Sequence, residues 1–323
     1  GGTYTNTIRN DAVFDYRSSA AQTLSGVISG TGAVVKTGSG SLTLSGANTF
    51  SGDTTINAGK LIGAVGASCA NSAVTVNSGA GNTLGIAIAD NTKQWGCANL
   101  TFRSGTTALE FNFGSATPSA VLAPLKVNGS LAFNGTPTVV VKGSSFPVGT
   151  YPLFTWGASL SGTAPDDVIL PPHLGGNLSL SGTTVYLNIT SASTQPVRWA
   201  LAESGTWDIN ASQNWKDSAG TLTYYLETAA SGDSVLLDET YITSSPTITL
   251  NSTVIPANVT VNNATQGYTI SGSGAIAGDT GLTKQGNGTL TLNTANTYSG
   301  GTTISGGTLS VPMLANGGCP SGI

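Results

Sequence analysis

Enzyme chemistry needs nucleophiles, acids, bases or metal ligands at workable spacing, and this chain offers few. A single histidine, His173, stands among 323 residues, which excludes most histidine metal sites and most nucleophile–base pairs. Carboxylates cluster at Asp166-Asp167 and at Asp233 with Asp238-Glu239. Glycoside hydrolysis needs two carboxyl groups flanking the scissile bond. Adjacent strand residues point to opposite faces, so neither neighbouring pair forms a facing dyad by itself. Asp233 follows Gly232, the setting of a turn aspartate that bonds local backbone. Gly52-Asp53 and Gly278-Asp279 lack the repeating spacing of calcium-binding nonapeptides. No residue is therefore assigned a catalytic, cofactor-binding or metal-ligating role, and no cofactor is expected.

Trp199, Trp207 and Trp215 fall at equal spacing. They form either an aromatic strip for sugar rings or a plug over an apolar face. The stretch from Asp166 to Pro171-Pro172-His173 interrupts regular alternation and reads as a surface excursion. Cys69, Cys97 and Cys319 are too few for a disulfide framework.

Glycine, serine and threonine make up 128 of the 323 residues, and charged residues only 8%, against roughly 25% in an ordinary soluble domain. Such a composition disfavours helices and suits strands joined by tight turns. The 11 basic residues are scattered singly among 15 acidic ones, which leaves no basic patch for nucleic acid. No apolar run is long enough for a transmembrane helix. The opening Gly1-Gly2-Thr3-Tyr4-Thr5 reads as strand, the start of a mature product or a fragment.

One internal repeat is plain. Residues 36–61 and 284–309 align without gaps at an offset of 248, with 16 of 26 positions identical. Thr289-Leu290-Thr291-Leu292 alternates with period two, as a strand with leucines on one face does. Asn296 to Gly301 is a turn, Thr302-Thr303-Ile304 a second strand, and Thr308 to Val311 a third. Three short strands and two turns in about 20 residues make one coil of a β-solenoid. Leu42, Leu44, Ile56 and Leu61, with Leu290, Leu292, Ile304 and Leu309, are predicted to point inward. Asn48 and Asn296 share one repeat position and are predicted to bond backbone across the bend. Cys69 and Cys97 lie 28 residues apart, close to one long coil, so stacking would bring them within disulfide range. The alternative is two buried free thiols.

The pattern Lys-x-Gly-x-Gly-x-Leu-x-Leu, then Ala-Asn-Thr-aromatic-Ser-Gly-x-Thr-Thr-Ile, then Gly-x-Leu, resembles the passenger-associated transport repeat (the autotransporter-associated β-strand repeat) of bacterial autotransporters. It is similar to right-handed parallel β-helix passengers of the pertactin type. The resemblance implies an all-β, elongated right-handed parallel β-helix, secretion, and an extracellular or bacterial cell-surface location. It implies no shared catalytic residue. The sequence divides into residues 1–115 with the first repeat (28–61), an irregular solenoid region 116–195, and 196–323 with the tryptophan segment and the second repeat (270–309).

The leading expectation is a non-enzymatic structural or adhesive solenoid: a stiff stalk or a head-to-tail fibre subunit. A carbohydrate-binding or carbohydrate-active β-helix is the alternative, and surface glycans are candidate partners. No polar cap is visible at either end. Two explanations fit: continuation into further repeats, or head-to-tail pairing between copies in which Cys319 staples neighbours.

Overall fold

The structure, a computed structural model, describes residues 2–143, 146–228 and 230–312. The chain forms two compact units, residues 1–192 and 193–323. Each is a parallel β-solenoid of short strands, and no helix of the described residues is long and apolar enough to cross a membrane.

In the first unit one sheet takes a single strand from each coil: Gly2–Tyr4, Gln22–Leu24, Ser41–Leu44, Lys60–Ala64, Thr83–Ala87, Ala108–Asn112, Thr138–Lys142 and Val168–Ile169. The second sheet runs from Val13–Tyr16 through Ala33–Lys36, Thr54–Ile56 and Ser68–Val76 to Trp95–Phe102 and beyond. The chain alternates between the sheets, so each coil adds a strand to both. This is how parallel strands pair here without crossover helices. Buried positions alternate along the strands, as in Ala33–Lys36 and Ser41–Leu44, because side chains alternate across the pleat.

The coils widen along this unit. Val34 pairs with Thr54, and Thr54 with Val74, a repeat of 20 residues. Ala108 pairs with Thr138, a repeat of 30. A longer perimeter encloses more volume, which must be filled to near-crystalline density. The interior changes accordingly, from Leu24, Val34, Leu42 and Ile56 to Trp95, Phe102, Phe111, Phe133 and Phe154. Phe102 and Phe133, in register on adjacent coils, stack with centroids 5.6 Å apart. Trp95 fits because position 63 is glycine: a Cβ there would lie 2.4 Å from the indole.

The far edge of this stack is closed. Leu174–Ser181 and Thr184–Ala192 form an antiparallel hairpin, and its second strand pairs antiparallel with Gly149–Trp156. Leu178, Val185, Leu187 and Ile189 point to the core while the outer strand is largely exposed. This cap lies within the chain, not at either end.

The second unit has a seven-stranded and a five-stranded sheet among the described residues. Its coils shorten along the chain. Pro196 pairs with Ser234, 38 residues on, because an excursion intervenes. Asn258 pairs with Gly281, 23 on, and Leu282 with Thr302, 20 on. The excursion lays Trp215–Lys216 antiparallel along Pro196–Trp199, followed by Leu222–Thr223, which covers the leading edge of that sheet.

Candidate functional site

The two repeat segments hold matching sets of buried polar side chains. Within Ala33–Lys36 the inward positions are Val34 and Lys36; within Gly281–Gln285 they are Leu282 and Lys284. Both lysines are fully buried. The Lys36 Nζ donates to the carbonyls of Gly38 and, at 3.0 Å, Ala58. The Lys284 Nζ donates to Gln285, Gly286 and Gly306 at 2.5, 3.0 and 3.3 Å. Burial depresses both ammonium pKa values, and Asp15 partly opposes this at Lys36. The last carbonyl in each set, Ala58 or Gly306, lies one coil further on, so each lysine ties two coils through their turns. Gly59 and Gly307 follow those carbonyls with φ of 69° and 66°, left-handed geometry that glycine adopts without strain.

Asparagine performs the complementary task. Asn48 Oδ1 accepts from the Ile28 backbone N–H at 2.8 Å, and Asn296 Oδ1 from that of Ile276 at 2.9 Å. The bond therefore runs to the preceding coil. Asn48 Nδ2 donates weakly to Cys69 Sγ on the following coil, at 3.9 Å; Asn296 Nδ2 has no partner among the described residues. Phe50 and Tyr298 are buried beside them.

Leu42, Leu44, Ile56, Leu61, Leu290 and Leu292 have no exposed surface. Ile304 differs, at 55% exposed, and Leu309 is half-buried. Ile304 shares register with the inward Lys284, and its exposure follows from its place: its strand pairs with Gly281–Gln285 on one side, and no strand among the described residues covers the other. At the first coil Tyr4 and Val13 are similarly exposed. Cys69 and Cys97 stand directly opposite on adjacent coils, yet both are free, buried thiols. Burial pushes the Cys69 thiol up to about 12, and raises Cys97 also. Cys319 lies outside the described residues.

The tryptophans form a plug. Trp199, Trp207 and Trp215 are fully buried. Trp215 packs edge-on against both others, at 5.0 and 5.2 Å between centroids, and Tyr225 joins at 5.3 Å from Trp207. No face remains for a sugar ring. The buried Asp233 carboxylate clamps the excursion by accepting from the Gln195 and Leu226 N–H groups, each at 2.7 Å. Burial, then Glu227, raises the Tyr225 hydroxyl pKa.

Two further candidate carboxylates accept from backbone. Asp167 accepts from Val168 N–H at 2.8 Å. Glu239 accepts from the N–H groups of Ala264, Thr265 and Gln266, bonds that hold its pKa below the usual range, with Gln266 foremost. His173 sits in its loop with φ of 73°.

The buried lysines were missed in the sequence. Their signal was parity: each shares the inward phase of an aliphatic neighbour two positions earlier. The widening of the coils and the antiparallel excursion left no such regular trace.

The family described as the passenger-associated-transport-repeat matches residues 34–62 and 282–311, the segments that contain both lysine seats. Among curated proteins, Adhesin BmaC autotransporter of Brucella suis biovar 1 (strain 1330) is similar, at 37% identity over a segment covering 25% of this chain. The alignment covers 3% of that relative, so the chain spans a small fraction of its length. No solved structure matches.

Proposed function

We propose that this chain, an autotransporter passenger repeat protein, works as a non-enzymatic structural and adhesive module at the outer surface of a bacterial cell. The observation that carries this reading is the in-register stacking of the repeats. Backbone hydrogen bonds run from each coil to the next, and a continuous apolar interior lies inside each unit. Such stacks derive their stability from neighbour contacts and present loops from a firm base. The adhesin name of the similar protein supports the adhesive half. The carboxylates engaged by backbone N–H groups support a display role over a hydrolytic one.

In the finer form of the proposal, the edge made by Thr302–Ile304 and Thr308–Ser310 receives another 20-residue coil. That coil comes from the same polypeptide, as in a stalk, or from a second copy, as in a fibre. A sedimentation coefficient that rises with concentration and falls back in Ile304→Lys would assign the second copy. A monomer at every concentration would remove the fibre.

Beads coated with the purified chain are expected to be retained on host cells or matrix above uncoated beads. The same chain is expected to release no reducing ends from plant, algal or mucin glycans. Cleavage abolished by Asp167→Asn would overturn the non-enzymatic reading.

A further inference from the structure

The excursion of the second unit creates an arrangement that stacking does not require. Arg198 on the strand Pro196–Trp199 stands directly opposite Lys216 on the antiparallel strand Trp215–Lys216. Like charges at directly opposed positions destabilise a sheet. Both side chains line a cavity of about 150 Å³ whose other walls include Pro196, Asp217, Leu236 and Tyr241.

The nearby carboxylates are already engaged. Asp217 Oδ1 accepts from the Ala219 and Thr221 N–H groups at 2.9 and 2.8 Å. Asp238 accepts from the Thr240 N–H and hydroxyl at 3.1 and 3.0 Å, and the Arg198 Nε lies 3.5 Å from it. The Arg198 Nη1 donates to Thr240 Oγ1 at 2.8 Å, which leaves further guanidinium N–H donors available. Lys216 has no carboxylate within ion-pair distance among the described residues; its Nζ lies 4.1 Å from the Tyr241 ring centre.

We propose that this cavity binds an acidic saccharide, with the carboxylate or sulfate of one sugar residue seated between Arg198 and Lys216. Two unlike cation geometries suit an oxyanion: the planar guanidinium fork and the ammonium point charge. The apolar and aromatic wall offers contact to a compact carbon ring. The volume lies below the ~300–1,000 Å³ of sites for larger ligands, so the cavity takes one sugar residue of a chain that otherwise lies in solvent. The anion would also relieve the repulsion between the opposed cations. This deepens the adhesive reading and takes its biological sense from it, but binding by the purified chain tests the site alone.

The test is a calorimetric titration of the full chain with three probes: a glucuronate-containing tetrasaccharide, a neutral glucose tetrasaccharide, and inorganic sulfate. The acidic tetrasaccharide is expected to bind, weakening with added salt as screened charges do, and the neutral one to bind at least about tenfold more weakly. Lys216→Gln and Tyr241→Leu should each lower acidic affinity about tenfold, while Lys126→Gln, in the first unit, should not. Unchanged circular dichroism shows that the variants fold. Sulfate binding as tightly as the acidic tetrasaccharide would overturn the saccharide assignment. No acidic binding, or binding indifferent to Lys216→Gln and Tyr241→Leu, would overturn the site.

Discussion

Lys36 and Lys284 lie 248 positions apart and hold equivalent carbonyl oxygens: Gly38 and Ala58 for the first, Gly286 and Gly306 for the second. Each pair of acceptors is shifted by the same 248 as the lysines. An ammonium without a carboxylate partner is costly to bury unless hydrogen bonds satisfy it, and the stacked turns supply those bonds. Lysine thus clasps one coil to the next where the Gly-x-Gly turns leave carbonyls pointing inward.

The lysine seat has a pH signature. The folded pKa of Lys284 is depressed by burial, whereas the unfolded chain titrates near ~10.4. Between the two values the unfolded state binds more protons, so stability rises with pH in that window. The melting temperature of the second unit is expected to rise with pH on the approach to ~10.4 from below. Lys284→Met should remove much of this rise, and an equal rise in the variant would contradict the seat.

Leu292 has no exposed surface, and Ile304 is 55% exposed. Leu292→Ala should cost about 2–5 kcal/mol through cavity formation. Ile304→Ala should stay within about 0.5 kcal/mol. Urea unfolding followed by tryptophan fluorescence reads both, and equal effects would contradict the coil register.

Asn48 satisfies the Ile28 N–H from the next coil. Asn48→Ala leaves that buried donor unpaired, at a cost of about 1–3 kcal/mol. Amide exchange at Ile28 should accelerate well beyond that at Leu42.

Cys69 and Cys97 are free and buried, with pKa values raised by burial. Since thiolate is the reactive form, neither should react with iodoacetamide in the native protein at pH 8. Both should be alkylated after unfolding without reductant. Peptide mapping that recovers a Cys69–Cys97 disulfide would contradict the free-thiol state.

The coils were legible in the sequence where alternation and repetition coincide, as at Ser41–Leu44 and Thr289–Leu292. The hairpin from Leu174 to Ala192 was legible in principle: two alternating runs flank Ser181-Gly182-Thr183, a hairpin signal. The excursion was not, because Trp215–Lys216 and Leu222–Thr223 are too short to show a period. Equal tryptophan spacing left a strip and a plug both open, and packing draws the rings into one buried cluster. The Arg198–Lys216 opposition depends on a pairing across the excursion that no local pattern encodes.

The proposed function requires this chain to lie outside the cell. Antibody against the purified chain, applied to intact bacteria, tests it most directly. Labelling of intact cells that is lost after brief external protease treatment is the predicted result. Labelling only after permeabilisation, with the chain untouched by external protease, would contradict it.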